Sequence, residues 1–389
     1  MGPVRVGIAC LLLLLAACSN GEAIFFEPPP LPLTRGPQVA QVEPTRAVVA
    51  FLTDTPLVAE VEYGPTTAYG STVSDAAPTA EHVLALSSLA PGARCHYRVK
   101  VAGKVVTEGH SFRTAATDPD APLRFVALGD SGGASRVQAD IARLIGALDL
   151  DLVVHTGDAI YEVGAPEELD RAYFLPYRDL IDDVPFYVAL GNHDTYTANG
   201  QPLIDALYLP GAERFFSFDR GPAHFVAFDT NADVSAGSAQ RDWLAADLAA
   251  NANARWTFVF CHHPPYSSGV QGNDPALRAS LTPLFEQYGV DLVLNGHDHI
   301  YHRSYPMLAG APVDAEQEPA YVDPRGPVYV VTGGGGKSVH RATAQPFTAF
   351  TEEAFHFTIV EVTGGSLLLR AIRRDGSEMD RMTITRNGP

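Results

Sequence analysis

Leu123-Arg124-Phe125-Val126-Ala127-Leu128-Gly129-Asp130-Ser131-Gly132 is the stretch that decides the fold. A mostly apolar run enters a glycine, a carboxylate and a second glycine without a break. Such a run reads as a strand buried on both faces, as in sheets covered by helices. A helix follows: Val137, Ile141, Leu144, Ile145 and Leu148 recur at helical spacing, and Ser135 with Gln138 has the form of a capping box. The pattern continues with apolar runs at 152–155, 185–190, 256–261, 291–294, 328–331, 355–362 and 367–372. Further helices are expected from Ser238 and from Asp274-Pro275, a capping residue before a first-turn proline. The last runs follow one another without helices. The expected fold is therefore layered α/β with mixed central β-sheets.

Five of these strands end in polar clusters. They are Gly129-Asp130-Ser131-Gly132, Gly157-Asp158-Ala159-Ile160-Tyr161, Gly191-Asn192-His193-Asp194, His262-His263-Pro264-Pro265 and Asn295-Gly296-His297-Asp298-His299. Open α/β sheets bind ligands beyond the carboxyl ends of their strands, so the five clusters are expected in one crevice. One such cluster means little, since an Asp after a strand is commonly a helix cap. Together they offer carboxylates, an amide, a phenol and imidazoles without a thiolate, a donor set suited to iron, manganese or zinc.

Upstream, short runs between 37 and 115 are separated by Asp54-Thr55-Pro56, Gly64-Pro65, Pro91-Gly92 and Gly103. That spacing predicts a β-sandwich, joined by a linker at 116–122. His82, His96 and His110 fall on separate strands there and are expected at surfaces or edges. The N-terminus has Arg5 before an apolar stretch too short to span a bilayer, ending Leu15-Ala16-Ala17-Cys18. This end resembles a bacterial lipobox, implying a signal peptide at 1–17, a lipid on Cys18 and export to the cell envelope. A Pro-rich tether at 18–36 then holds the folded part away from the membrane.

The chain has 27 basic and 45 acidic residues, a formal net charge of −18. That balance argues against nucleic-acid docking, and membrane contact is expected only through the anchor. Hydrophobic residues at 46% exclude global disorder. Cys95 and Cys261 lie in different expected domains, so a disulfide between them is not expected.

The ordered clusters resemble the calcineurin-like metallophosphoesterases, and within them the purple acid phosphatase branch. The matching motifs are Gly129-Asp130-Ser131-Gly132, Gly157-Asp158-Ala159-Ile160-Tyr161, Gly191-Asn192-His193, Val259-Phe260-Cys261-His262 and Gly296-His297-Asp298-His299. The resemblance covers about 123–375, leaving 376–389 as a C-terminal segment, and implies that 37–115 is fibronectin type III-like. It further implies a binuclear centre of Fe(III) plus a divalent Fe, Zn or Mn. Asp130, Asp158, Tyr161 and His299 would hold the first ion. Asp158, Asn192, His262 and His297 would hold the second, with Asp158 bridging. Gly132 stands where the wider superfamily has a ligating His, and Tyr161 supplies the missing donor.

The implied activity is hydrolysis of phosphate monoesters by hydroxide formed on the metals, with His193 as acid for the leaving group. The alternative for His193 is a hydrogen-bond partner that supports the metal ligands without touching the substrate. Phosphodiester hydrolysis on the same site, or a non-catalytic surface-binding lipoprotein, are the alternatives for the chain. His263, His302 and Arg303 are candidate substrate contacts, with outer-shell support or packing as the other reading of the two histidines. Substrate choice is expected from loops 159–183, 195–214 and 303–327.

Overall fold

The computed structural model describes residues 32–387 and, before them, only the antiparallel pair Ala17–Ser19 and Glu22–Ile24. Residues 1–16 of the expected signal peptide and residues 20–21 and 25–31 of the expected tether thus lie outside the described residues, and nothing is described of the Cys18 side chain. Among the described residues no helix is long and apolar enough to cross a membrane.

Residues 33–113 form a β-sandwich of two antiparallel sheets. One orders Leu33–Ala40, Arg46–Leu57 and Thr79–Ser87; the other orders Ser71–Ser74, Ala59–Gly64, Arg94–Val101 and Lys104–Arg113. Alternating side chains such as Val49, Phe51, Val61, Leu84, Val99 and Phe112 fill the space between them. The first strand starts at Leu33, inside the stretch expected as tether. Leu33 is buried, and the strand lies at a sheet edge, where Pro37 costs no ladder hydrogen bond.

Two seven-stranded sheets pack face to face downstream. The first runs Phe186–Val188, Leu152–His155, Leu123–Leu128, His356–Thr363, Ser366–Arg373, Glu378–Thr385 and Ala320–Val322. The second runs Phe216–Arg220, Ala223–Ala227, Trp256–Phe260, Leu292–Asn295, Val328–Thr332, Tyr301–Ser304 and Thr348–Glu352. Phe125 of the first sheet meets Phe225 and Phe258 of the second, each with ring centroids 5.2 Å away. Both sheets are mixed: Leu123–Leu128 is parallel to Leu152–His155 and antiparallel to His356–Thr363.

The segment expected merely to trail the domain contributes Glu378–Thr385 to the first sheet. Met379, Met382 and Ile384 bury into it, an alternation hidden by the intervening charges.

Helices cover the outer faces. Arg136–Gly146 is capped by Ser135 Oγ, which accepts from Gln138 N at 3.1 Å. The Gln138 side chain donates to Ala172 O instead of closing the box. Ala239–Ala250 and Pro275–Gln287 start at Ser238 and Asp274 as their caps require. The loops at 159–183 and 195–214 contain the helices Leu175–Ile181 and Gln201–Leu207.

The sandwich docks on these same segments. Tyr97 Oη donates to Asp182 O at 2.5 Å, Arg35 pairs with Asp170 at 2.7 Å, and Gln38 Nε2 donates to Ala206 O. His110 faces Asp182 at 3.2 Å. His82 is fully buried between Thr53 and Asp75 and is not a surface residue. Cys95 and Cys261 are both buried free thiols.

His224 ties the Ala239–Ala250 helix to the second sheet. Its ring nitrogens lie 2.8 Å from Asp219 and 2.9 Å from Asp247. Burial alone would lower its pKa, but the two carboxylates raise it to about 9. The pair therefore stabilises the fold fully below the unfolded imidazole value of about 6.5 and loses that contribution as pH rises through about 9. Asp219 is exposed, which screens its share, so up to about 2 kcal/mol is expected. The melting-temperature difference between wild type and His224→Gln should be largest near pH 6 and shrink above pH 9 in a calorimetric pH series.

Candidate metal centre

The five strand-end clusters meet where the carboxyl ends of the two sheets face each other. Asp130, Asp158 and Asn192 follow neighbouring strands of the first sheet; His262, His297 and His299 follow neighbouring strands of the second. Asp130, Asp158 and His297 leave their strands with φ of 57°, 54° and 70°. That left-handed backbone is costly for residues with a Cβ and recurs at functional sites. Gly191 allows the closest approach: a Cβ there would sit 2.1 Å from Asp158 N and Oδ1.

Backbone hydrogen bonds stitch the sheets together at this point. Asp130 accepts from His297 N at 3.1 and 2.9 Å, and His262 Nδ1 donates to Thr156 O at 2.9 Å. Asp158 Oδ1 accepts from His193 N at 2.9 Å. Buried Asp194 accepts from Gly191 N and Ile160 N, fixing the turn that presents Asn192.

The remaining donor atoms fall into two groups. Tyr161 Oη lies 2.8 Å from Asp158 Oδ2, 3.2 Å from Asp130 Oδ1 and 3.2 Å from His299 Nε2. Asn192 Oδ1 lies 3.1 Å from both His262 Nε2 and His297 Nδ1, which are 3.3 Å apart. Asp158 Oδ2 is also 3.5 Å from His262 Nε2, so one carboxylate oxygen borders both groups.

The orientation of each donor is held from behind. His299 Nδ1 meets Ser338 Oγ at 2.6 Å, and Asn192 Nδ2 donates to Tyr196 Oη at 3.1 Å. With His262 Nδ1 engaged by Thr156 O, its Nε2 faces the Asn192 oxygen; burial alone would lower its pKa, but Asp158 and Asp130 raise it to about 10. The Tyr161 hydroxyl donates to both Asp130 and Asp158, so positive charge is already called for among these donors; a cation could take the place of such protons, and the donor set fits a pair of ions sharing Asp158.

Charge behaves accordingly. Burial raises the Tyr161 phenol far above its usual pKa, and Asp130 and Asp158 raise it further. Burial opposes ionisation of Asp158, yet His262 holds it below the ordinary carboxylate range. Burial lowers His297 to about 4, with His262 contributing. A cation in the first group would offset the cost of a phenolate beside two carboxylates.

His193 stands at the mouth. Its ring is 4.4 Å from that of Tyr161, and Nδ1 lies 2.6 Å from Glu162 O. His263 leans on His297 at 4.4 Å between ring centroids, while Thr230 Oγ1 occupies its Nδ1. Asp298 is buried and accepts from Ser267 Oγ and Gln271 N.

Two expected substrate contacts belong to the wall instead. Arg303 is fully buried and makes paired hydrogen bonds to both Asp380 and Glu318, leaving no guanidinium edge for a ligand. His302 is buried against Ser268 Oγ, and burial with neighbouring Arg303 lowers its pKa to about 3. Conversely, the loop after Val328–Thr332 supplies residues the sequence did not single out. Lys337 pairs with Glu162 and places Nζ 4.6 Å from the Tyr161 ring centroid. His340 stacks on His299 at 4.0 Å. The Gly333–Gly336 run by itself reads as a strand-end loop lining the cleft, and it fits the close packing of this loop on Asp130 and Gly129, but it assigns no role to either side chain.

Residues 123–301 match the sequence profile of the calcineurin-like phosphoesterase family. "Acid phosphatase type 7" of Danio rerio is 27% identical over 279 residues, covering 61% of this chain and 63% of that protein. The chain thus spans somewhat less than two thirds of that relative. "Nucleotide pyrophosphatase/phosphodiesterase" of Hordeum vulgare is 28% identical over 330 residues, covering 73% of this chain and 89% of that protein. The solved purple acid phosphatase of yellow lupin (Lupinus luteus) seeds superimposes with a TM-score of 0.80 at 21% identity, covering 91% of this chain and 75% of that one.

Arg303→Ala should act on stability. Leaving Asp380 and Glu318 without their buried partner is expected to cost about 3–5 kcal/mol. Denaturant unfolding should show that loss, whereas a substrate contact would raise KM at unchanged stability.

Proposed function

We propose that this chain, whose residues 123–301 match the calcineurin-like phosphoesterase family and which is similar to purple acid phosphatases, hydrolyses phosphate monoesters at a binuclear centre. The observation that carries this reading is the meeting of two donor groups at Asp158 Oδ2. Asp130, Asp158, Tyr161 and His299 would hold the first ion, and Asp158, Asn192, His262 and His297 the second. Tyr161 favours Fe(III) in the first position, with divalent Fe, Zn or Mn in the second. When bound, such a pair neutralises phosphoryl oxygens and lowers the pKa of a water that attacks phosphorus.

The chain's own residues supply the rest. Asp158 accepts from His193 N, so the acid's backbone is tied to the shared ligand. Glu162 O accepts from His193 Nδ1, leaving Nε2 of the imidazolium as the proton donor to the departing oxygen. Burial of Asp130, Asp158 and Tyr161 keeps bulk water from their donor atoms. A lipid on Cys18 would place this site at the cell envelope.

Diester hydrolysis is the second reading, favoured by the name of the barley relative. Turnover of p-nitrophenyl phosphate and its bis-ester by the metal-loaded protein separates the two. A higher kcat/KM for the monoester is expected; preference for the bis-ester moves the activity to diesters. Failure to turn over either ester, with two metals bound per chain by elemental analysis, overturns both. His193→Ala should lower kcat about 10²–10⁴-fold for an alkyl phosphate and much less for p-nitrophenyl phosphate. Its leaving group departs without much help from an acid.

A further inference from the structure

Among the described residues, Tyr196 is the one aromatic side chain that is solvent-exposed, at 60%. A single exposed aromatic is ordinary by itself; its position makes this one informative. Tyr161, His193 and Tyr196 form an aromatic row from the donor groups to solvent, with successive ring centroids 4.4 and 5.0 Å apart. The Tyr196 hydroxyl is held by Asn192 Nδ2, so the ring has a defined place.

Val163, 45% exposed, is tied to the segment that carries Tyr196: its carbonyl accepts from Thr197 Oγ1 at 2.7 Å. Val270, 68% exposed, lies on a further loop of the site, next to Gln271, whose N–H donates to Asp298. Three of the exposed large apolar side chains therefore sit on loops of the centre, although the chain as a whole is strongly acidic.

We propose that Tyr196 and Val163 form a leaving-group subsite for a flat aromatic alcohol, so that the preferred substrates are phosphate esters whose departing oxygen carries an aromatic group. This rests on the phosphoesterase reading above and specifies its substrate class. The subsite lies outward of His193, on the side where the departing group must leave once Nε2 has protonated its oxygen. The P–O bond to that group breaks, water supplies the new P–O bond, and the water proton balances the one given by His193. A planar ring meets the Tyr196 face and the Val163 methyls.

The test compares 2-phenylethyl, 2-cyclohexylethyl and ethyl phosphonates, titrated calorimetrically into the metal-loaded protein. The phenyl compound should bind about three- to tenfold tighter than the cyclohexyl compound, and Tyr196→Ala should abolish that preference while Tyr196→Phe keeps it. The phenylalanine variant removes the hydrogen bond to Asn192 but retains the ring, which separates stacking from positioning of the amide. Equal binding of the phenyl and cyclohexyl compounds, no binding of any, or a preference that survives in Tyr196→Ala overturns the subsite. The matching phosphate esters report separately on the activity. Turnover without an aromatic preference sinks the subsite alone; an aromatic binding preference without turnover supports the subsite and sinks the hydrolytic reading.

Discussion

Everything at the centre depends on holding two buried carboxylates and their polar neighbours within about a hydrogen-bond length of one another. Two carboxylates, a phenol, an amide oxygen and three imidazoles converge around Asp158, with the Tyr161 hydroxyl donating to both carboxylates. Without positive charge among them, such a cluster is costly to bury. The fold resists it with backbone N–H groups: His193 N on Asp158, His297 N on Asp130, and Gly191 N and Ile160 N on Asp194. These bonds fix the donors before any ligand arrives, and electrostatic sites work by such preorganisation.

The same constraint explains why two sheets are needed. A single sheet presents its strand ends in a row. Two sheets packed through Phe125, Phe225 and Phe258 bring two rows edge to edge, and the Asp130–His297 and His262–Thr156 hydrogen bonds cross the seam. The sandwich bears on the segments behind the site's mouth, through Tyr97 on Asp182 and Gln38 on Ala206. It thereby braces the 170–183 and 206–209 segments.

Arg303 and His302 show why proximity in sequence to a site says little about contact with it. They follow the last ligand cluster by only a few residues, yet lie on a strand running back into the second sheet. There Arg303 meets Asp380, which the sequence gives no reason to associate with it. Tyr196 is the converse case. It lies three residues beyond His193, and one helical turn brings it back beside the imidazole. Lys337 and His340 arrive from a loop whose glycines alone were informative.

The sequence by itself determined the layered fold, the capped helices and the order of the polar strand ends, because these rest on local signals: apolar runs, caps and glycines at sharp turns. It also carried the resemblance that grouped the donors into two sets around Asp158. Only the tertiary structure decided which neighbours of those donors face the centre and which face the wall. It also decided where the sandwich bears and that the last strand, Glu378–Thr385, completes the first sheet. The physical reason is range. A strand's identity is written in its own few residues, whereas the partner of a buried charge is chosen by chain segments dozens of residues away.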